Sequence, residues 1–172
     1  KAWLRTPLGE ALTIKHGKSQ KNVETKTGPY PILATSGQIG LASQPIFEKP
    51  SVLIGRKGTI DKPQYMDKPF WSVDTLFYSE MKNGNIAKFF FYKFQLIDWM
   101  SYNEASGVPS LNSKTIESIE CIYPNPTEQA AITKTLDDMG SEISALETRY
   151  AKASRLKQAM MQELLTGRTR LI

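Results

Sequence analysis

Hydrophobic and polar positions follow two different patterns along this chain, and the change between them falls near residue 126. Upstream, short apolar runs are broken every few residues by Gly or Pro, including Gly28-Pro29, Gly37, Gly40, Gly55, Gly58, Gly84, Gly107 and Pro109. Runs of this length and β-rich composition predict strands at Ala11–Ile14, Tyr30–Ala34, Ser51–Ile54, Thr75–Ser79 and Ile119–Tyr123. One helix is predicted near Asn85–Ser101, where Ile86, Phe89, Phe90, Ile97 and Met100 recur at helical spacing and Phe94 and Trp99 add bulk. The expectation is a single α+β domain over residues 1–126, built on a twisted or barrel-like sheet.

Downstream, the period lengthens. Thr127 followed by Glu128 can cap a helix start, with Pro126 suiting an extended approach. No proline follows, and Gly140 is the only glycine before Gly167. Apolar positions then alternate in steps of four and three. One series is Ile132, Met139, Leu146, Ala153 and Met160; the other is Leu136, Ile143, Tyr150, Lys157 and Leu164. Lys157 is the single polar member, so about four heptads carry a coiled-coil seam. Within residues 127–172, a helix of about 40 residues spans roughly 60 Å, more than the width of a domain this size.

Charge along this helix predicts how it pairs. Glu128, Asp137, Asp138, Glu142 and Glu147 face one base, Lys134, in the first half; Arg149, Lys152, Arg155, Lys157, Arg168 and Arg170 face one acid, Glu163, in the second. The helix dipole favours this order only within the terminal turns, which leaves Glu147 unexplained. Antiparallel pairing sets each acidic half against a basic half. The expectation is therefore a long C-terminal helix forming an antiparallel coiled coil with a partner helix, most simply in a two-fold homodimer.

Composition narrows the function class. The formal net charge is +5, compatible with a polyanion partner and equally with ordinary solubility. Cys121 and His16 are the only residues of their types, so no intramolecular disulfide and no structural zinc site is expected; the reading is a cytoplasmic protein. No run of 18 apolar residues is present to cross a membrane. Lys1-Ala2-Trp3-Leu4 has no apolar signal region, and the absence of an initiator Met suggests numbering that begins inside a longer chain. A DNA methyltransferase needs a Gly-rich cofactor turn and an Asn/Asp-Pro-Pro-aromatic motif; Asn125-Pro126-Thr127-Glu128 resembles the latter only faintly. No phosphate-binding loop occurs, Asp61 and Asp74 lack a nuclease-type Glu-x-Lys, and His16 has no triad partners. No catalytic residue, metal ligand or cofactor site is assigned.

Ordered motifs nevertheless resemble a known family. Trp3 and Leu8-Gly9-Glu10 lead through Ile14 and Gly17 to GPYPILATSG (Gly28–Gly37), LIGRKGTID (Leu53–Asp61), SVDTLFY (Ser72–Tyr78) and ASGVPSLNSKTIESIECIYP (Ala105–Pro124). PTEQAAI (Pro126–Ile132) and LKQAMMQELLTGRTRL (Leu156–Leu171) follow. In this order and spacing they resemble the specificity (S) subunit of type I restriction–modification systems, or one half of it. Such subunits usually carry two recognition domains and two antiparallel helices; this sequence has one of each and no internal repeat. The resemblance implies a non-catalytic subunit whose recognition domain reads double-stranded DNA. Its helix would separate two such domains and dock methyltransferase (M) subunits, with a motor/nuclease (R) subunit able to join. S-adenosylmethionine would sit on the methyltransferase subunit. Two rivals are the recognition region of a single-chain restriction–modification enzyme and a coiled-coil assembly module whose globular domain binds protein.

Within that reading, base-edge and phosphate chemistry selects candidate contacts. Arg56 and Lys57, with Thr59, lie in a Gly-flanked turn; a solvated basic turn is the plainer account. Thr35, Ser36 and Gln38 form a second loop, where Gln suits adenine but turn chemistry would suffice. Tyr102, Asn103, Ser106 and Ser110 form a third, and Lys15, Lys18, Lys21 and Lys26 are candidate phosphate contacts or a plain charged face.

Overall fold

The computed structural model describes residues 3–172; Lys1, Ala2 and the side chain of Leu4 lie outside the described residues, and with them the reading of the N-terminal Lys1-Ala2. Two compact units divide at Ala131–Ile132, later than the change of pattern at residue 126. The difference has a local cause. Gln129, one turn into the long helix, is fully buried in the first unit. Its side chain accepts the Ile86 N–H (2.9 Å) and donates to Asn85 Oδ1 (2.7 Å) and to the Pro124 carbonyl (2.8 Å), so the first turn belongs to the domain it leaves.

All five predicted strands are present. They are β2 (Leu12–His16), β4 (Tyr30–Ala34), β6 (Ser51–Gly55), β9 (Leu76–Met81) and β10 (Glu120–Tyr123). Ala11 departs from its predicted strand and ends a short helix, α1 (Leu8–Ala11). Five further strands escaped the pattern: β1 (Leu4–Pro7), β3 (Glu24–Thr25), β5 (Gly37–Ala42), β7 (Gln64–Met66) and β8 (Trp71–Ser72). Most of these are two to four residues long or glycine-rich, too short for alternation to register.

The predicted helix near Asn85–Ser101 is shorter than its periodicity. The helix α2 covers Ala87–Gln95 and gives way to a 3-10 turn at Trp99–Tyr102. Trp99 ends it by folding back, its indole N–H donating to the Phe94 carbonyl (2.8 Å), which leaves Met100 exposed. A small helix, α3 (Ser113–Ser118), is capped by Asn112, whose side chain accepts the Lys114 N–H (2.9 Å).

Two four-stranded sheets make the core, ordered β2-β9-β6-β7 and β3-β5-β4-β8, with β1 and β10 paired apart from them. Pairing is antiparallel except between β4 and β8. β6 is buried along its whole length, as a continuous apolar run between two neighbours should be. One cluster joins the sheets through Ile32, Leu33, Leu53, Phe70, Leu76 and Tyr78. The rings of Phe70 and Tyr78 meet edge-on at 5.9 Å. Ser51 and Ser79, both fully buried, satisfy each other's strands: Val52 N–H donates to Ser79 Oγ and Ser79 N–H to Ser51 Oγ, each at 2.9 Å.

The second unit is the rest of a 40-residue helix, α4 (Pro126–Leu165). Its cap is Asn125 rather than Thr127: Asn125 Oδ1 accepts the Glu128 N–H (3.1 Å), and Pro126 takes the first helical position, where no N–H is needed. The helix ends where Gly167, at φ +73°, returns its N–H to the Leu164 carbonyl. No helix among the described residues is long and apolar enough to cross a membrane.

Candidate nucleic-acid interface

Three turns predicted from separate stretches of sequence meet at Gly58. The first runs from Gly55 to Thr59 beyond β6. A β-carbon on Gly55 would lie 2.0 Å from the Thr59 carbonyl oxygen, and Gly58 has φ +90°, so both positions require glycine. The second is the β4–β5 turn at Thr35-Ser36. A β-carbon placed on Gly58 would stand 4.0 Å from Thr35 Oγ1. The third, residues 103–110, is fastened to the first by Gly58 N–H donating to the Pro109 carbonyl (2.9 Å) and by a bridge between Lys57 and Ser110.

Two of these turns, and the backbone at Lys18, are held by residues distant in the chain. Gln64 on β7 donates Nε2 to the carbonyls of Ala34 (2.8 Å) and Thr35 (3.4 Å). Arg56 and Lys57 donate their amides to the Thr75 carbonyl (2.8 and 3.2 Å). Trp71 donates its indole N–H to the Lys18 carbonyl (2.9 Å), while the Lys18 amide bonds the Ser72 carbonyl (2.8 Å). Gly17 must be glycine here, since its β-carbon would fall 1.9 Å from the Val73 oxygen. These partners lie beyond the few turns that a local pattern samples, which is why it misses them.

Two basic side chains, Arg56 and Lys57, line this edge, and Lys18 lies on the segment held by Trp71 and Ser72. Arg56 donates to the Asp74 carbonyl (3.3 Å), and Lys57 and Lys18 are exposed. Among the described residues, none of the three has a carboxylate within salt-bridge distance. A cleft of about 350 Å³ opens beside them, lined by His16, Arg56, Lys57, Glu104 and Ser110 among others. His16 packs edge-on against Phe77 (4.9 Å). Glu104 accepts a short hydrogen bond from the Thr115 hydroxyl.

The other candidates sort by their contacts. Ser36, Gln38 and Ser106 are exposed, Gln38 with its Nε2 donating to the Gly40 carbonyl (3.4 Å), and Thr35 and Thr59 are half-buried. Asn103 is occupied inside its own loop: Oδ1 accepts the amides of Ala105 (3.1 Å) and Ser110 (2.9 Å), and Nδ2 donates to the Ala105 carbonyl (2.9 Å). Lys15 is paired with Glu80 (3.4 Å). Cys121 is buried as a free thiol; burial pushes its pKa up, with Lys93 partly opposing. No group of three or more His, Cys, Asp or Glu among the described residues is placed to hold a metal ion.

On α4 the seam is open to solvent. Met139, Ile143 and Leu146 are each more than half exposed, Tyr150 more so, and Leu136 and Met160 somewhat less. Ala153 is also exposed, and Ile132 and Leu164 are half-buried.

The family model described as the type I restriction modification DNA specificity domain matches residues 1–155. The type I restriction enzyme EcoDI specificity subunit of Escherichia coli is 22% identical over 175 aligned residues, covering 95% of this chain and 37% of that protein. The fold is that of solved S subunits. The one from M. genitalium superposes with a TM-score of 0.70 at 16% identity, over 94% of this chain and 45% of that one. The HsdS subunit of Thermoanaerobacter tengcongensis gives 0.68 at 16%, over 94% and 44%. A chain from work on complex assembly and conformational transition of the type I R-M system gives 0.73 at 18%, over 94% and 45%. This chain thus spans less than half the length of these relatives, and across nearly its whole extent it belongs to the family of type I restriction modification DNA specificity domains.

Proposed function

We propose that this chain is a non-catalytic, cytoplasmic DNA specificity subunit that reads one half of a two-part duplex target for partner enzymes. The observation that carries this is the meeting of three turns at Gly58, edged by Arg56 and Lys57, which among the described residues have no carboxylate within salt-bridge distance. Free cations beside polar turns are what phosphate positioning and base readout require. Arg56 and Lys57 suit guanine edges or phosphate; Gln38 suits adenine; Ser36, Thr35, Thr59 and Ser106 offer hydroxyls; Lys18 suits phosphate. Asn103 acts by holding its loop.

The open seam on α4 is the coiled-coil interface, and a second copy running antiparallel covers it. Its acidic first half then lies along the partner's basic second half. A rod of roughly 60 Å accommodates two reading heads about one DNA turn apart, ~34–36 Å. Methyltransferase subunits carrying S-adenosylmethionine dock on these helices, and motor/nuclease subunits join them.

The test is binding of the purified protein, with whatever subunits it retains, to randomised duplex pools at 50 and 200 mM salt. Specific enrichment that weakens steeply with salt supports the reading. Arg56→Ala should lose discrimination at one base pair, by ~1–3 kcal/mol, and Lys57→Ala should reduce the salt slope by about one if it contacts phosphate. Binding that is salt-insensitive and unselective would instead favour a protein-assembly module.

A further inference from the structure

The β4–β5 hairpin carries an irregularity that polar readout leaves unused. β5 pairs Gly40 with Ile32 and Gln38 with Leu33, so Ile39 is the extra residue of a β-bulge. In a regular strand, neighbours such as Gln38 and Ile39 point to opposite faces. An extra residue breaks that alternation and re-aims a side chain. Here both are exposed, Ile39 by 48%, whereas Ala42 farther along the same strand is fully buried.

A lone exposed apolar residue is ordinary on a protein surface. Ile39 differs by its position. It sits beside Gln38 at the end of the hairpin whose turn meets Gly58 and the Arg56-Lys57 turn. An apolar branch on this edge beside Arg56 and Lys57 is poorly placed for phosphate and well placed for the one apolar group of the major groove, the thymine 5-methyl.

We infer that Ile39 reads the 5-methyl group of a thymine in the half-site, next to the base pair whose edge Gln38 bonds. This rests on the DNA-reading function proposed above and deepens it. Amide and alkyl together specify an adjacent adenine and thymine, the amide by hydrogen bonds to adenine N6 and N7 and the alkyl group by burying the methyl. One buried methyl group corresponds to about a four-fold change in affinity, from ~0.8 kcal/mol.

Two randomised-core duplex libraries test this, one made with thymine and one with deoxyuridine, which lacks only that methyl. Each is bound by the full chain with the subunits it retains, and the bound fraction is sequenced. Wild type should select a thymine at one position of the half-site, and the deoxyuridine library should show a preference there reduced about four-fold. Ile39→Ala should show the reduced preference in both libraries, with other positions and the melting temperature unchanged. The inference is overturned if wild type selects with equal strength from both libraries, or if Ile39→Ala keeps the full thymine preference. A wild type that selects no motif from either library overturns the DNA-reading function itself, and the inference with it.

Discussion

Gln129 donates its side-chain amide to Asn85 Oδ1 at 2.7 Å while accepting the Ile86 N–H at 2.9 Å, so one buried glutamine on α4 caps the start of α2. The sequence separation is 44 and 43 residues, and Gln129 itself is fully buried. Such a group is costly to remove, because its partners lose their hydrogen bonds with nothing to replace them.

Gln129→Ala should therefore destabilise the domain by ~1–3 kcal/mol. Urea unfolding of variant and wild type measures this. Gln129→Glu preserves the acceptor for Ile86 but loses the amide donor, and at neutral pH it buries a charge, so it should be no better tolerated.

Gly58→Ala should hurt recognition more than folding. At φ +90° an alanine strains the backbone by an order of ~1–3 kcal/mol, and relief of that strain would loosen the bond to Pro109. The outcome to look for is weakened, less selective DNA binding with secondary structure retained by circular dichroism. Unchanged selectivity would show that the junction of the three turns is not what positions the contacts.

Pairing of α4 can be read by cross-linking. In a Cys121→Ser background, Leu136→Cys lies far from its copy in an antiparallel pair and should not form a self-disulfide, while Leu136→Cys and Met160→Cys chains mixed together should cross-link. A parallel pair gives the opposite result. Ile143→Lys places a charge in the seam and should shift the protein toward monomer in analytical ultracentrifugation.

Cys121 should react slowly with alkylating reagents at neutral pH in the folded protein, since burial both hides the thiol and raises its pKa above the usual 9.0. The linked stability effect has a definite sign. A folded-state pKa above the unfolded one means that the native state keeps its proton longer, so the contribution is fully present below about 9 and is lost as pH rises through the folded value. Comparing urea midpoints of wild type and Cys121→Ala from pH 8 to 10 measures it. Wild type should fall more steeply.

Much of this protein was legible in its residue order. The Tyr30–Ala34, Ser51–Gly55 and Glu120–Tyr123 strands announce themselves as apolar runs between breakers, and the four-three spacing from Ile132 to Leu164 marks the long helix. These are local features, set by side-chain period and backbone propensity within a window of a few turns. The Gly55–Thr59 turn was legible for the same reason, because its glycines are demanded by the turn itself.

What tertiary structure alone decided is which distant residues share an edge. Nothing in the order of residues places Gln64 under the Ala34-Thr35 turn, Asn125 rather than Thr127 at the helix cap, or Asn103 inside its loop instead of on the surface. Each depends on a hydrogen bond chosen among several that local chemistry permits, and the choice is made by burial and by partners that folding brings within 3 Å or so. The bulge at Ile39 belongs here too: its register exists only because β4 lies beside β5. Period marks the longer elements; packing determines which of their side chains are left exposed.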